Sequence, residues 1–173
     1  MGTWDELDTQ VNVKSDTSEL DELIDFLGED KVFEPALKIA ERYKTGIEEG
    51  SKEGAETIAK RVKSLQELAI ASNGSIGTMN LINSIEIEEQ SDTSYLVGTT
   101  ITHFYPLCVE KGRGEVRPVY AKVLHWFTLS GNEVFSMYSS PASPRPFVKP
   151  AYEQTSLEAG DIVKTCIFNK TIE

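Results

Sequence analysis

The chain has 173 residues, 39% of them hydrophobic and 26% charged, and its 28 acidic and 17 basic residues give a formal net charge of −11. This length and composition are typical of one soluble globular domain. The negative balance argues against direct nucleic-acid binding, which depends on clustered Lys and Arg. No apolar run reaches the roughly 18 residues of a membrane span, and two cysteines are too few for a secreted disulfide scaffold. We therefore expect a cytoplasmic protein that does not bind membranes.

The acidic residues are concentrated at the N-terminus. Residues 1–30 hold ten acids and one base, a net charge of −9, whereas the remaining 143 residues hold 18 acids and 16 bases. An acidic segment of this kind suits a basic protein partner, because opposite charges speed encounter. The sequence therefore predicts an acidic arm, residues 1–30, joined to a single domain, residues 31–173.

A short amphipathic helix is the first element predicted within the arm. Asp16 and Glu19 form a capping-box pattern, an apolar stripe follows at helical spacing, and Gly28 ends the helix. The stripe consists of Leu20, Leu23, Ile24 and Leu27. Either this stripe covers part of the core, or the helix detaches and docks in a basic groove. In the second case the partner-binding residues are Asp21, Glu22 and Asp25.

The segment 34–72 predicts two further helices. Pro35 suits a first helical turn, and apolar residues recur at helical spacing along the segment. Gly46 and the run Glu49-Gly50-Ser51 interrupt that pattern. We interpret these residues as the break between the two helices.

After Gly77 the apolar period changes from helical to alternating, which predicts a sheet over residues 79–139. Its four strands are expected near 79–89, 94–105, 115–129 and 133–139, with polar turns at 90–93 and 130–132 that predict antiparallel pairing. Over residues 141–169, a proline-rich tail predicts extended chain and Ile162–Phe168 predicts a last strand. The expected fold class is α+β, with N-terminal helices packed on a curved antiparallel meander of four to five strands.

Pairing of these strands leaves apolar residues on both faces of the sheet. One face is apolar enough to receive the helices. The other bears Tyr120, Leu124 and Trp126, and it is more aromatic than an exposed sheet face usually is. We expect it to form a two-fold homodimer interface or to be covered by the C-terminal tail.

Two stretches of the predicted sheet resemble a known superfamily. Tyr95–Thr102 and Val119–Val134, the latter ending in Phe127-Thr128-Leu129-Ser130-Gly131-Asn132-Glu133-Val134, resemble the last strands of the ketosteroid isomerase and nuclear transport factor-like superfamily. The resemblance implies a cone in which a curved sheet wraps around helices and encloses a pocket. It further implies a dimer, a small apolar ligand, and isomerase, cyclase or dehydratase chemistry.

The two histidines, His103 and His125, fall on the helix-facing side of the predicted sheet. A neutral imidazole in a pocket suits general acid–base catalysis. The predicted register sets His125 opposite Val97 and near Tyr95, which makes His125 and Tyr95 the candidate acid–base pair and His103 a second polar contact. A packing role for each is the alternative. The expected ligand-binding residues are Val97, Ile101, Val123, Phe127, Phe135 and Met137.

The sequence supports two functional hypotheses. The first is a small apolar-ligand-binding protein of the cone-shaped class, with or without isomerase, cyclase or dehydratase activity. Because no metal-ligand spacing occurs, this hypothesis includes neither a metal nor another cofactor. The second is an acidic protein-interaction module, such as an inhibitor, immunity protein or assembly factor, that docks on a basic partner through residues 1–30.

Overall fold

The computed structural model describes residues 7–28, 31–73, 79–102, 104–128 and 130–172. These residues form a mixed helix-and-strand fold, which confirms the coarse class, with a three-stranded sheet and a separate two-stranded sheet, both antiparallel. The single five-strand meander is therefore not present. The helices are α1 (Ser18–Gly28), α2 (Glu34–Ser72), α3 (Asn80–Asn83), α4 (Tyr105–Lys111) and α5 (Val148–Ile172), with a 3-10 turn at Lys31–Phe33. The strands are β1 (Thr9–Asn12), β2 (Ile85–Ser91), β3 (Ser94–Thr99), β4 (Leu124–Phe127) and β5 (Glu133–Ser136).

The chain folds as two compact units. The first contains residues 7–9, Lys63–Glu86 and Gly98–Tyr152; the second contains Gln10–Val62, Ile87–Val97 and α5 from Glu153 onward. The described arm residues from Gln10 onward thus belong to the same unit as most of α2. No helix in the described ranges has both the length and the apolarity of a membrane span.

The arm contributes a strand to the larger sheet, where the sequence predicted no element. β1 lies beside β3, and β3 pairs in turn with β2. The backbone N–H of Val13 donates to the Thr93 carbonyl at 3.0 Å, at the end of the hairpin turn that the polar residues 90–93 predicted. Leu7 and Val11 are buried, so residues 7–12 are anchored by an apolar–polar alternation that is too short to predict a strand from the sequence.

Helix α1 confirms the predicted amphipathic helix and its end at Gly28. Asp16 accepts hydrogen bonds from the Ser18 backbone N–H at 3.1 Å and from the Ser18 hydroxyl at 2.7 Å, and these bonds lower the pKa of Asp16 from its ordinary value. Leu27 is buried. Lys44 of α2 lies 2.5 Å from the Asp21 carboxylate, so an ion pair and a buried apolar residue hold α1 within its unit.

The predicted break in the second helical segment is wrong, because α2 runs without interruption through Gly46, Gly50 and Gly54. These glycines recur every four residues on one side of the helix, where α5 lies against them. A Cβ at Gly46 would come within 2.9 Å of the Thr171 hydroxyl oxygen, and one at Gly54 within 3.1 Å of a Val163 methyl carbon. The glycines are therefore sites of close helix approach rather than helix ends.

The predicted last strand, Ile162–Phe168, is also wrong, since these residues lie in α5. Burial along α5 follows a helical period, with Ala151, Thr155 and Cys166 buried. Because several of these buried residues are small or polar, the hydrophobic pattern of a helix is weak in the sequence. The short apolar run near the C-terminus was therefore interpreted as a strand. Pro150 is the third residue of the helix and is tolerated there because the first helical turn needs no backbone N–H donor.

We predict that Gly50→Ala destabilises the protein by about 1–3 kcal/mol, the usual range for an overpacked contact. Its new Cβ would overlap the Ile167 backbone, which is too close to yield by a side-chain rotation. The matched control is Gly160→Ala in α5, where nothing lies within 4 Å of an added Cβ. That change removes backbone entropy from the unfolded chain and should raise stability by up to about 1 kcal/mol. Urea unfolding of both variants measures the two changes in unfolding free energy. Equal changes would contradict the close packing of α2 against α5 at Gly50.

An ion pair joins the same two helices nearer the start of α5. The Arg61 guanidinium donates to both carboxylate oxygens of Glu158, at 3.0 and 3.2 Å. Hydrogen bonds from Arg61, and next from the Gln154 amide, lower the pKa of Glu158 from its ordinary value. The lowered pKa means that the folded state favours the charged carboxylate.

This shift predicts a pH-dependent stability. A carboxyl group whose folded pKa is lowered stabilises the protein above its unfolded pKa, about 4.3 for Glu, and loses that contribution as the pH falls through its folded pKa. Glu158→Gln should therefore be less stable than wild type near neutral pH. The difference should narrow in acid, as measured by urea unfolding across a pH series. A difference that is constant with pH would show that the carboxylate charge does not contribute.

Candidate functional site

The most exposed apolar part of the described structure is a long β-hairpin, residues 113–142, which we term the ribbon. Near its base, Arg113 and Val116 form antiparallel bridges with Ala142 and Ser139. Near its tip, β4 pairs with β5, with Leu124 opposite Ser136 and Phe127 opposite Glu133. The turn closes through the Thr128 N–H, which donates to the Asn132 carbonyl at 2.9 Å. The hairpin turn predicted at residues 130–132 is thus confirmed.

The two halves of the ribbon are separated by a bulge. Between the paired positions, seven residues on one strand, 117–123, face only two on the other, 137 and 138. The predicted strand 115–129 is therefore interrupted, and the bulge contains Pro118, which cannot donate a ladder hydrogen bond. Val119 and Tyr120 lie at its crest, and Tyr120 is fully exposed. The bulge thus presents an aromatic side chain to solvent.

One face of the ribbon tip carries an exposed aromatic cluster. The His125 ring stacks on Phe135 with centroids 4.6 Å apart and an interplanar angle of 8°, and it meets the edge of Phe127 at 5.1 Å. Nε2 of His125 also lies 3.3 Å from a Glu133 carboxylate oxygen. Phe127 and Phe135 each expose 61% of their surface. We term His125, Phe127, Phe135 and the exposed Met137 the aromatic face.

The opposite face of the tip is only partly covered. Leu124 and Val134 are half-buried, and Trp126 exposes 38% of its surface. A two-stranded hairpin has marginal stability in water on its own. A ribbon with apolar side chains on both faces and no fully buried residue in β4 or β5 is typical of a segment that is completed by another molecule.

A carboxylate of α4, the helix that precedes the ribbon, caps α5, the helix that follows it. Glu110 of α4 accepts hydrogen bonds from the backbone N–H groups of Phe147 at 2.7 Å, Val148 at 3.0 Å and Lys149 at 3.2 Å. The N–H groups of Val148 and Lys149 belong to the first turn of α5, where no backbone acceptor is available, and Phe147 directly precedes that turn. The carboxylate also complements the positive end of the helix dipole. The sequence predicted a loop here, so both α4 and the role of Glu110 were missed.

Removal of this cap should weaken the start of α5. We predict that Glu110→Ala costs about 1–2 kcal/mol of unfolding free energy, as loss of a helix cap usually does. Amide hydrogen exchange at residues 147–149 should accelerate more than elsewhere in α5. Glu41→Ala on the exposed side of α2 is the control and should be nearly neutral. Unchanged exchange at those three amides would contradict the capping role.

The candidate acid–base residues are distributed over different parts of the fold. Tyr95 lies on β3 and is buried, which raises its pKa above the ordinary value. His125 lies on β4 in the two-stranded sheet. The predicted pairing of their strands is wrong, because β3 lies between β1 and β2. His103 lies outside the described residues.

The expected ligand-binding residues also separate. Val97 is fully buried on β3, and Ile101 follows that strand, with its N–H donating to the Thr99 hydroxyl at 3.2 Å. Val123, Phe127, Phe135 and Met137 lie in the ribbon and are exposed. Strand alternation correctly predicted that Phe127 and Phe135 share a face with His125, but it could not tell which face of the hairpin is covered.

The described surface also contains a shallow groove along α2 and α5, with a volume of about 440 Å³. It is lined by Thr57, Leu157, Glu158, Asp161, Ile162, Thr165 and Cys166. None of the predicted site residues contributes to it. Burial raises the pKa of the Cys166 thiol, which makes this cysteine a poor nucleophile. Among the described residues, no cluster of three or more His, Cys, Asp or Glu side chains is arranged to hold a metal ion.

The acidic residues of α1 form a second exposed surface. Glu19, Glu22, Leu23 and Phe26 recur at helical spacing on its outward side, which we term the arm face; all four are exposed. The Phe26 ring lies 6.4 Å from that of Phe33. Of the predicted partner-binding residues, Asp21 pairs with Lys44, whereas Glu22 and Asp25 are exposed.

Comparison with protein-family models, curated proteins and solved structures finds no match to this chain. With no match to a known protein, the ribbon and the arm face are the features from which a function can be inferred.

Proposed function

We propose that this protein is an interaction protein that binds another protein chain through the ribbon. The observation that carries the proposal is the exposure of large apolar side chains on both faces of one hairpin. Isolated exposed apolar residues are ordinary, but a contiguous patch of them marks an interaction surface. Aromatic residues and Met are enriched in such surfaces because each buries a large area on binding.

A protein suits the ribbon better than the other partner classes do. A small apolar ligand requires a concave site that covers most of its surface, whereas the aromatic face stands on a two-stranded hairpin. A nucleic acid requires a track of clustered Lys and Arg, whereas the ribbon holds only three Lys and Arg among its 30 residues. The predicted ligand-binding and isomerase functions rested on a single curved sheet around a pocket, and they stay predictions without geometric support.

The chemistry of the ribbon favours a partner segment that is apolar and acidic. The ribbon holds three Lys and Arg against two Asp and Glu, a local charge of +1 in a chain whose net charge is −11. Lys122 is exposed on the bulge, whereas Arg117 pairs with Glu115. This local charge is opposite to that of the arm and supports recognition of an acidic surface.

Site-specific photo-cross-linking in the cells that make the protein tests this proposal. A photoreactive phenylalanine analogue replaces Phe135 on the aromatic face, and the control places it at Tyr152 on α5, an aromatic residue of similar exposure. We expect a protein adduct of discrete mass at position 135 and none at position 152. The absence of a protein adduct at 135, or a small-molecule adduct there by intact mass, would overturn the proposal.

A further inference from the structure

We propose that the partner of the ribbon is a second copy of this chain, and that the arm face of one copy docks on the ribbon of the other. This inference rests on the proposed function and names its partner. It follows from a correspondence between two exposed surfaces of the same sequence. Each carries apolar side chains that lack cover, and their local charges are opposite.

The arm face supplies the apolar and acidic chemistry that the ribbon favours. Leu23 and Phe26 expose 43% and 64% of their surfaces, and Glu19 and Glu22 lie on the same side of the helix. Leu27, one helical turn beyond Leu23, is buried, and together with the Lys44–Asp21 ion pair it holds α1 to its own unit. The outward side is therefore presented on a fixed helix, which reduces the entropy lost on binding.

The ribbon supplies the matching surface. Phe127 and Phe135 offer flat apolar area for Leu23 and Phe26. The bulge adds Tyr120 and the cations Arg117 and Lys122, and all three are exposed. Arg117 already lies 2.5 Å from Glu115, whereas Lys122 has no ion pair within the described residues. A helix laid on an apolar surface with basic residues at its rim is a common mode of recognition.

The net charge of the chain does not prevent this contact. Two copies of charge −11 repel at long range, but at physiological ionic strength charges separated by more than about 8 Å are largely screened. Charges that meet across an interface lie closer than that and are partly desolvated, so their attraction persists. The apolar residues at the centre of the contact do not depend on salt in this way.

Charge exchange between the two surfaces tests the inference. The arm variant is Glu19→Lys with Glu22→Lys, and the ribbon variant is Arg117→Glu with Lys122→Glu. The mass of the wild type, by sedimentation equilibrium, should rise above the monomer's 19.2 kDa; this rise is expected between about 1 and 100 µM, the range of a moderate interface. Each variant alone should weaken association at least about tenfold. An equimolar mixture should restore it, because the basic arm face of one variant meets the acidic ribbon of the other.

Matched controls separate this contact from general charge effects. Glu41→Lys with Glu49→Lys repeats the charge change of the arm variant on α2, and Lys60→Glu with Lys164→Glu repeats that of the ribbon variant on α2 and α5. Both should associate as the wild type does. Circular dichroism checks that each variant is folded, and Phe26→Ser provides an arm variant that leaves the charge unchanged. Phe26→Ser should also weaken association.

The outcomes distinguish the inference from the proposed function. A wild type that stays monomeric at all concentrations, or an arm variant that associates normally, overturns docking of the arm face on a second copy. If cross-linking at position 135 then captures a different protein, the ribbon is still an interaction surface. If it captures no protein, both proposals are wrong. Restored association in the mixture supports both.

Discussion

The close packing of α2 against α5 is the constraint on which the helical part of this fold depends. Backbone atoms of α5 approach the glycines of α2 very closely. A methyl group at Gly46 or Gly50 would meet one of these atoms at 3.0 Å or less, and a methyl group at Gly54 would meet one at 3.2 Å. Dispersion energy falls steeply with separation, so such an approach gains many favourable atom pairs along the seam. The Arg61–Glu158 ion pair also joins these two helices, nearer the start of α5. The same helix begins at the Glu110 cap, where the chain leaves the base of the ribbon.

The parts of the fold that the sequence predicted were those decided by local chemistry. Helix α1 has a polar cap, a stripe and a terminal glycine within thirteen residues, and both hairpin turns are marked by short polar runs. The errors came where tertiary contact outweighs local preference. Gly50 lowers helix propensity by about 1 kcal/mol relative to Ala, yet α2 continues because Ile167 packs where a side chain would otherwise be. No local signal contains that information.

In the candidate site, too, the locally determined features were predicted correctly and the tertiary contacts were not. Alternation along the strands placed His125, Phe127 and Phe135 on one face, and the observed register, with His125 opposite Phe135, agrees. Whether that face is buried or exposed depends on which other element or molecule packs against it, and local sequence patterns do not reveal that element or molecule. The acid–base pair required β3 and β4 to be adjacent. Instead β1, a strand of four residues, takes the place beside β3.

In a regular hairpin the length of each strand determines the register of the pairing, but the bulge of the ribbon makes the two independent. In an uninterrupted ladder, the insertion of one residue shifts the register and turns every later side chain to the other face. Here the base and the tip are paired independently on either side of residues 117–123. The length and sequence of this segment are therefore not fixed by strand pairing. The segment that presents Tyr120 and Lys122 has room to diversify by insertion and deletion, much as a recognition loop does on a constant framework.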